Sequence, residues 1–293
     1  MLSLAIRYQS LRVNSTYSYQ DNEVQFSSYF ENLTVSDKFR KSRSEFIQHN
    51  LYSTRRTKVL LVSAYWHLSK SKYGDSVNQS ATAYTKWMNN SLLINAPYVF
   101  FRDANQSPKF EYIRNDRRLP TIWIHLPFSH LRTSTFNMSD VSKIWLAKMD
   151  LLFQVYLMFP SVTWYVWADA GLNEYRLKPP PPHEWPKRDL NRIYPNGKFI
   201  YVQTRTEDKQ CLPAKERIMG GTVFLIHNRA VREAHSLFYE SLKECMEHAE
   251  SEEKRTCCSD DQIIFFRMRL KRPHLFSKSL GKGDWSEIIK SNY

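Results

Sequence analysis

Residues 164–176 read WYVWADAGLNEYR, from Trp164 to Arg176, and they decide the fold. Trp164-Tyr165-Val166-Trp167 is an apolar aromatic run with the composition of a buried strand. The run then delivers one carboxylate, Asp169, between two alanines and two residues before Gly171. At the C-terminal edge of an α/β sheet, such a sequence presents an acid to the crevice where ligands bind. The plain alternative is a turn capped by Asp169, with Gly171 supplying a positive φ.

The flanking segments place this strand in an alternating chain. Lys58 to Trp66 (KVLLVSAYW) is near-continuously apolar and suits a buried parallel strand. Residues 81–93 have helical spacing with Tyr84, Trp87 and Met88 on one face. Residues 97–101 form a second strand; Tyr112-Ile113 and residues 121–126 are further strand candidates. Ser139 or Asp140 can N-cap a helix over about 141–159. Its stripe is Val141, Ile144, Trp145, Leu152, Val155 and Phe159, with Lys148 among them. A lysine there either snorkels or reaches a buried anion. Pro160 ends the helix, and the Trp164 strand follows. Strand, helix and strand in succession predict an α/β sheet with helices on its faces.

Beyond it, Pro179 to Pro182 read as a stiff extended linker. Residues 198–203 form another strand. Met219 to Ile226 read as a Gly220-Gly221 turn feeding a strand; paired glycines admit a ligand closely, or make a hairpin or bulge. Residues 229–250 form an amphipathic helix with Val231, Ala234, Phe238, Leu242 and Cys245 on its stripe. Asp260 and Asp261 then open an apolar helix, which is ordinary capping chemistry. Residues 1–55 are polar and weakly periodic, as in a stem or peripheral extension, leaving residues 56–293 as one domain.

Composition narrows the function. The chain has 293 residues, a net charge of +13 and 7 glycines, and neither GxGxxG nor GxxxxGK[ST] occurs in it. The charge attracts polyanions, but the basic residues match no nucleic-acid motif, so nucleic acid is an unlikely partner. None of the four cysteines has CxxC spacing. Cys245 reads as a core residue, and Cys211 can pair with Cys257 or Cys258. There is no apolar run long enough for a transmembrane helix. Sequons at Asn14, Asn32, Asn78, Asn89, Asn105 and Asn137 point to the secretory pathway or Golgi lumen; in a chain that is not eukaryotic they point to nothing, and the compartment is the cytoplasm.

Taken together these segments resemble the HtrL/YibB-like family, glycosyltransferase-like proteins of the nucleotide-diphospho-sugar (GT-A) class. The likeness rests on residues 62–66 (VSAYW), on Trp145 to Lys148 with Asp150 to Leu152, on Trp167 to Gly171, and on Gly220-Gly221 followed by Asp261-Gln262. It implies a single GT-A-like domain with a mixed, mostly parallel sheet. It implies a nucleotide-sugar donor and a glycan, lipid or protein acceptor. Ser63, Ala64, Tyr65, Lys148, Asp169, Gly171, Gly220, Gly221 and Lys282 would line the donor site, and Asp261 with Gln262 would serve the acceptor side. GT-A enzymes hold a divalent cation, Mn2+ or Mg2+, on an Asp-x-Asp block. This chain has one acid there, so the resemblance implies Asp169, with His274 as a second ligand. A GT-A-like protein that binds nucleotide sugar or glycan without turnover is the second reading. A basic nucleic-acid-binding protein is the third.

Overall fold

A computed structural model of the chain describes residues 26–51, 58–68, 81–103, 109–134, 136–172, 175–203, 211, 219–249, 257–279, 288–289 and 292. The strands are β1 (Val59–Tyr65), β2 (Tyr98–Arg102), β3 (Thr121–His125), β4 (Trp164–Ala168), β5 (Phe199–Gln203), β6 (Met219–His227) and β7 (Phe276–Lys278). The helices are α1 (26–35), α2 (Asp37–Phe46), α3 (Ala81–Ser91), α4 (Lys109–Asp116), α5 (Asp140–Met158), α6 (Leu190–Ile193), α7 (Asn228–Glu247) and α8 (Asp261–Lys271). One seven-stranded sheet runs β3-β2-β1-β4-β6-β5-β7. Strands β1 to β4 are parallel, β6 alone runs against its neighbours, and β5 and β7 are parallel again. This is the α/β architecture, mixed and mostly parallel, that the strand–helix alternation predicts.

Alternation along each strand divides the core into two layers. Leu60, Val62, Tyr165 and Trp167 face one layer with α2, α5, α7 and α8. Leu61, Trp164, Val166 and Ala168 face the other, with Met88, Trp185 and Ile289. Both faces of β1 and β4 are buried, so their sequences are unbroken apolar runs. Helix α5 starts where expected, with the Ser139 hydroxyl accepting from the Ser142 amide. From Leu146 to Leu152 every residue is buried, Lys148 and Asp150 included, so its contact surface is wider than one stripe.

Several expectations are corrected. Tyr112 and Ile113 lie in helix α4, because Phe110 and Arg114 at helical spacing supply its buried side. Gly220 and Gly221 are inside strand β6, not in a turn before it. The proline run is tied down: Pro182 O accepts from Asn95, and Trp185 is buried with its indole N–H on Ile289 O at 2.9 Å. Residues 26–51, part of the stretch read as a stem or peripheral extension, are helical and bury Phe26, Phe30, Phe39 and Phe46 in the sheet's own core. Four aromatic anchors in a polar stretch suffice to fix it there, with only a weak period to show it. Cys245 is not a plain core residue but pairs with Cys258, while Cys211 pairs with Cys257. These close chain separations of 13 and 46 residues. In the chain-entropy account such loops contribute about 3 and about 4 kcal/mol.

Candidate functional site

The site lies where the sheet changes direction of winding. From β1 the chain goes out to β2 and β3 on one side, and from β4 it goes to β5 and β6 on the other. Strands β1 and β4 are adjacent and parallel, with Val62 beside Trp167. Their C-terminal ends therefore flank the crevice at which open α/β sheets bind ligands. Asp169 follows directly after β4, its amide fixed to Thr222 O at 2.9 Å. Tyr65 ends β1.

On the α5 side, three expected residues meet. Lys148 Nζ lies 3.0 Å from Asp169 Oδ1 and 2.9 Å from Asp261 Oδ2, and donates to Gly221 O at 2.8 Å. The Asp261 contact is a buried ion pair. Burial alone would lower the lysine pKa, but Asp169 and then Asp261 outweigh it and hold the ammonium protonated. The indole of Trp167 donates to Asp169 Oδ1 at 2.7 Å. Lys148 and Asp261 are enclosed, their side chains 3% and 2% exposed, whereas Asp169 is 18% exposed. Asp169 is thus the member of this group with an edge toward solvent.

Gly221 is glycine because of this cluster. A Cβ there would stand 2.5 and 2.6 Å from the two carboxylate oxygens of Asp261. The close approach expected of the Gly-Gly pair is real, but it admits this chain's own carboxylate. Gly171 is also a steric requirement and not a conformational one. It is absent from the positive-φ residues, and a Cβ would meet the Tyr84 ring at 3.0 Å.

On the α3 side an aromatic group stands at the C-terminal end of β1. Tyr84 stacks on Tyr65 with centroids 5.5 Å apart, and its hydroxyl oxygen accepts from the backbone N–H of Gly171. Burial, then the nearby Asp169 charge, push the Tyr84 hydroxyl upward, so it stays neutral at physiological pH. The Arg176 guanidinium lies 3.9 Å over the Trp87 ring. Ser63 and Ala64 are buried in the C-terminal half of β1, next to Tyr65. Tyr84, Trp87 and Arg176 were not among the expected site residues. Trp87 and Tyr84 were legible as one helix face, but only the tertiary fold turns that face onto Gly171.

Other expected residues stand elsewhere. His274 is exposed in the 3-10 turn Pro273–Leu275 and pairs with Glu233 of α7 at 3.7 Å, so it is not joined to Asp169. Lys282 lies outside the described residues. Gln262, in the first turn of α8, has a buried side-chain oxygen without a hydrogen-bond partner.

Asp260 caps α8 by accepting from the Gln262 amide at 2.9 Å. Burial first, and then the charge of Asp261, push its carboxyl up to about 7. The folded state therefore keeps a proton that the unfolded chain releases near pH ~4. Because the folded state binds the proton more tightly, stability falls as pH rises from ~4 to ~7 and is level above that. Asp260→Asn keeps a good cap and removes the titration. Chemical denaturation across this range is expected to give a flatter profile in the variant and, above neutrality, a more stable protein. An unchanged slope would assign the pH dependence to another group.

No protein-family model and no curated protein sequence matches the chain. Solved structures do match. Mouse xyloside xylosyltransferase 1, apo form, has a TM-score of 0.43 at 11% identity over 76% of this chain and 84% of that one. Core-mannan synthase A from Aspergillus fumigatus, in a Mn/GDP form, has a TM-score of 0.45 at 9% identity, over 80% and 75%. A 4-diphosphocytidyl-2C-methyl-D-erythritol synthase from Anaerococcus prevotii has 0.37 at 7% identity, over 80% and 90%. At these scores the likeness carries no weight for a shared site or activity, and the α/β architecture rests on the sheet order itself.

Proposed function

We propose that the chain is a GT-A-like protein that binds a nucleoside-diphosphate sugar in the crevice between the C-terminal ends of β1 and β4, and transfers the sugar to an acceptor. The observation that carries this reading is the meeting of Asp169, Tyr65 and Tyr84 at the sheet's switch point. There a partly exposed carboxylate stands beside an aromatic stack. The carboxylate suits sugar or ribose hydroxyls, which donate to it. The aromatic stack suits the base or the sugar ring, and Arg176 supplies a cation for the diphosphate. The resemblance of the Trp167 to Gly171 block to the HtrL/YibB-like family points the same way.

In the transfer, the bond from the anomeric carbon to the phosphate oxygen breaks and a bond to an acceptor hydroxyl oxygen forms. The nucleoside diphosphate departs with the bonding electron pair, and the hydroxyl proton passes to a base if configuration inverts, or to the departing phosphate oxygen if it is retained. The resemblance puts Asp261 on the acceptor side, as such a base or as an acid that orients the acceptor. Its enclosure behind Gly221 and its pairing with Lys148 make it a positioning residue, which holds Lys148 and through it Asp169. An enclosed Asp261 favours the second reading, a GT-A-like protein that binds nucleotide sugar or glycan without turnover. Slow hydrolysis of the donor in the absence of acceptor separates the two.

The compartment follows from the same proposal. Two disulfides use all four cysteines, as suits an oxidising lumen and not the cytoplasm. Asn32 and Asn137 are exposed, and in such a compartment they would be open to glycosylation.

The test is a thermal shift with UDP, GDP, CDP and their sugars on the wild type and Asp169→Asn. A nucleotide-selective rise that the variant loses is expected, since a ligand of the native state raises stability by mass action. No rise with any nucleotide, in folded protein, would end the donor-binding reading.

A further inference from the structure

Sugar-nucleotide transfer commonly uses a divalent cation held by carboxylates, so the oxygens at this site can be tested for one. Mg2+ needs near-octahedral oxygen ligands at about 2.0–2.1 Å. The oxygens that converge here are Asp169 Oδ1, Asp261 Oδ2 and Gly221 O. All three already surround Lys148 Nζ, at 3.0, 2.9 and 2.8 Å. An ammonium carries three protons and no lone pair, so it fills the place of a cation among three acceptors and contributes no ligand. Asp169 Oδ1 also accepts from the Trp167 indole. Among the described residues, no group of three or more His, Cys, Asp and Glu side chains converges. A doubly charged ion seated on these oxygens would stand within a few ångströms of a buried positive charge, a strong repulsion even at an effective dielectric of about 20. The residues present do not fit a metal while Lys148 is in place.

We infer that the Lys148 ammonium is the resident cation of this site. It takes the position of a divalent ion between Asp169 and Asp261, and makes ligand binding in the crevice independent of divalent metal. The ammonium is spent inside the protein, on two carboxylates and a carbonyl. Its work is to hold Asp169 in place and cancel charge, and the ligand's own anion is left to side chains nearer the opening. Loss of the lysine side chain would free a pair of carboxylates and a carbonyl, which is a set of hard oxygen donors for Mn2+. The lysine therefore separates two states of one site, ammonium-filled and metal-accepting.

The part of this inference that concerns nucleotide rests on the proposed donor reading; the part that concerns metal does not. The experiment keeps them apart by titrating Mn2+ into protein without nucleotide, followed by electron paramagnetic resonance of the free ion. The wild type is expected to take up no Mn2+ at a specific site below millimolar concentration. Lys148→Ala is expected to bind one ion per chain at least about tenfold more tightly, a small part of the Coulomb repulsion removed. This gain should vanish in Lys148→Ala combined with Asp169→Asn. A wild-type protein that binds Mn2+ tightly and loses it on Asp169→Asn would overturn the inference. So would a folded Lys148→Ala that gains nothing. Should Lys148→Ala not fold, the wild-type titration decides, together with the UDP and GDP thermal shifts in EDTA and in Mn2+. Equal shifts in both support the ammonium as resident cation, and a shift seen only with Mn2+ overturns it. No nucleotide shift in either condition ends the donor reading alone, with the metal titration still deciding the rest.

Discussion

Replacing Lys148 by methionine is expected to lower the unfolding free energy by about 3–5 kcal/mol, the usual loss when one member of a buried ion pair is removed. Methionine keeps most of the side-chain volume, so the loss reports charge and not a cavity. The variant leaves the Asp261 side chain at 2% exposure without its counter-charge, and leaves Gly221 O without its donor. The second half of the prediction separates this account from general misfolding. Adding Asp261→Asn to Lys148→Met should recover much of the loss, because a neutral amide needs no counter-ion and is nearly isosteric. Urea denaturation of the wild type, both single variants and the double variant gives the coupling directly. Additive losses would mean that the two side chains do not stabilise each other, and the ion-pair account of the cluster would fall.

The second large effect is expected at Arg114, far from the crevice. Its side chain is fully buried in α4. It donates to Leu92 O at 2.6 Å, Ile94 O at 3.0 Å, Ala96 O at 2.7 Å and Pro120 O at 3.2 Å, and also to the Thr121 hydroxyl. The ring of Tyr98 lies 4.4 Å from its guanidinium carbon. Burial lowers its pKa to about 10, still well above neutrality, so the group is charged at pH 7. One planar fork thus satisfies the carbonyls of two chain segments that enter β2 and β3, in a place where water does not reach. Arg114→Met should cost about 3 kcal/mol or more, since several buried carbonyls lose their donor at once. Arg114→Lys should recover only part, because three donors on a single nitrogen cannot span both segments. Amide hydrogen exchange of residues 98–102 and 121–125 should accelerate in the methionine variant before the rest of the sheet. A loss below about 1 kcal/mol would show that the backbone finds other partners.

Much of the molecule follows from local sequence. The strands at residues 59–65, 98–102, 121–125, 164–168, 199–203 and 219–227 lie within a residue or two of the apolar runs that predict them. Their burial on both faces makes the runs unbroken and easy to read. The stripe Val231, Ala234, Phe238, Leu242 and Cys245 is buried as helical spacing requires. Strand β7 was not legible, since three residues, Phe276 to Lys278, are too few to show a period. Nor was helix α4 at Tyr112-Ile113, where two β-prone residues lie in a helix made by their neighbours' burial.

The sequence by itself determined that this is an α/β chain, that Asp169 ends a buried strand, and that a lysine sits on the core side of a helix. Those properties depend on periods of two and 3.6 residues and on a few chain neighbours. Tertiary structure alone decided what Lys148 meets. Its partners lie 21, 73 and 113 positions away, at Asp169, Gly221 and Asp261, and no local pattern encodes which of many acids a buried ammonium will find. The same holds for Gly171 under Tyr84, for the two disulfides and for Arg114. Each is fixed by which strands lie side by side, and that is settled by burying the whole apolar surface at once.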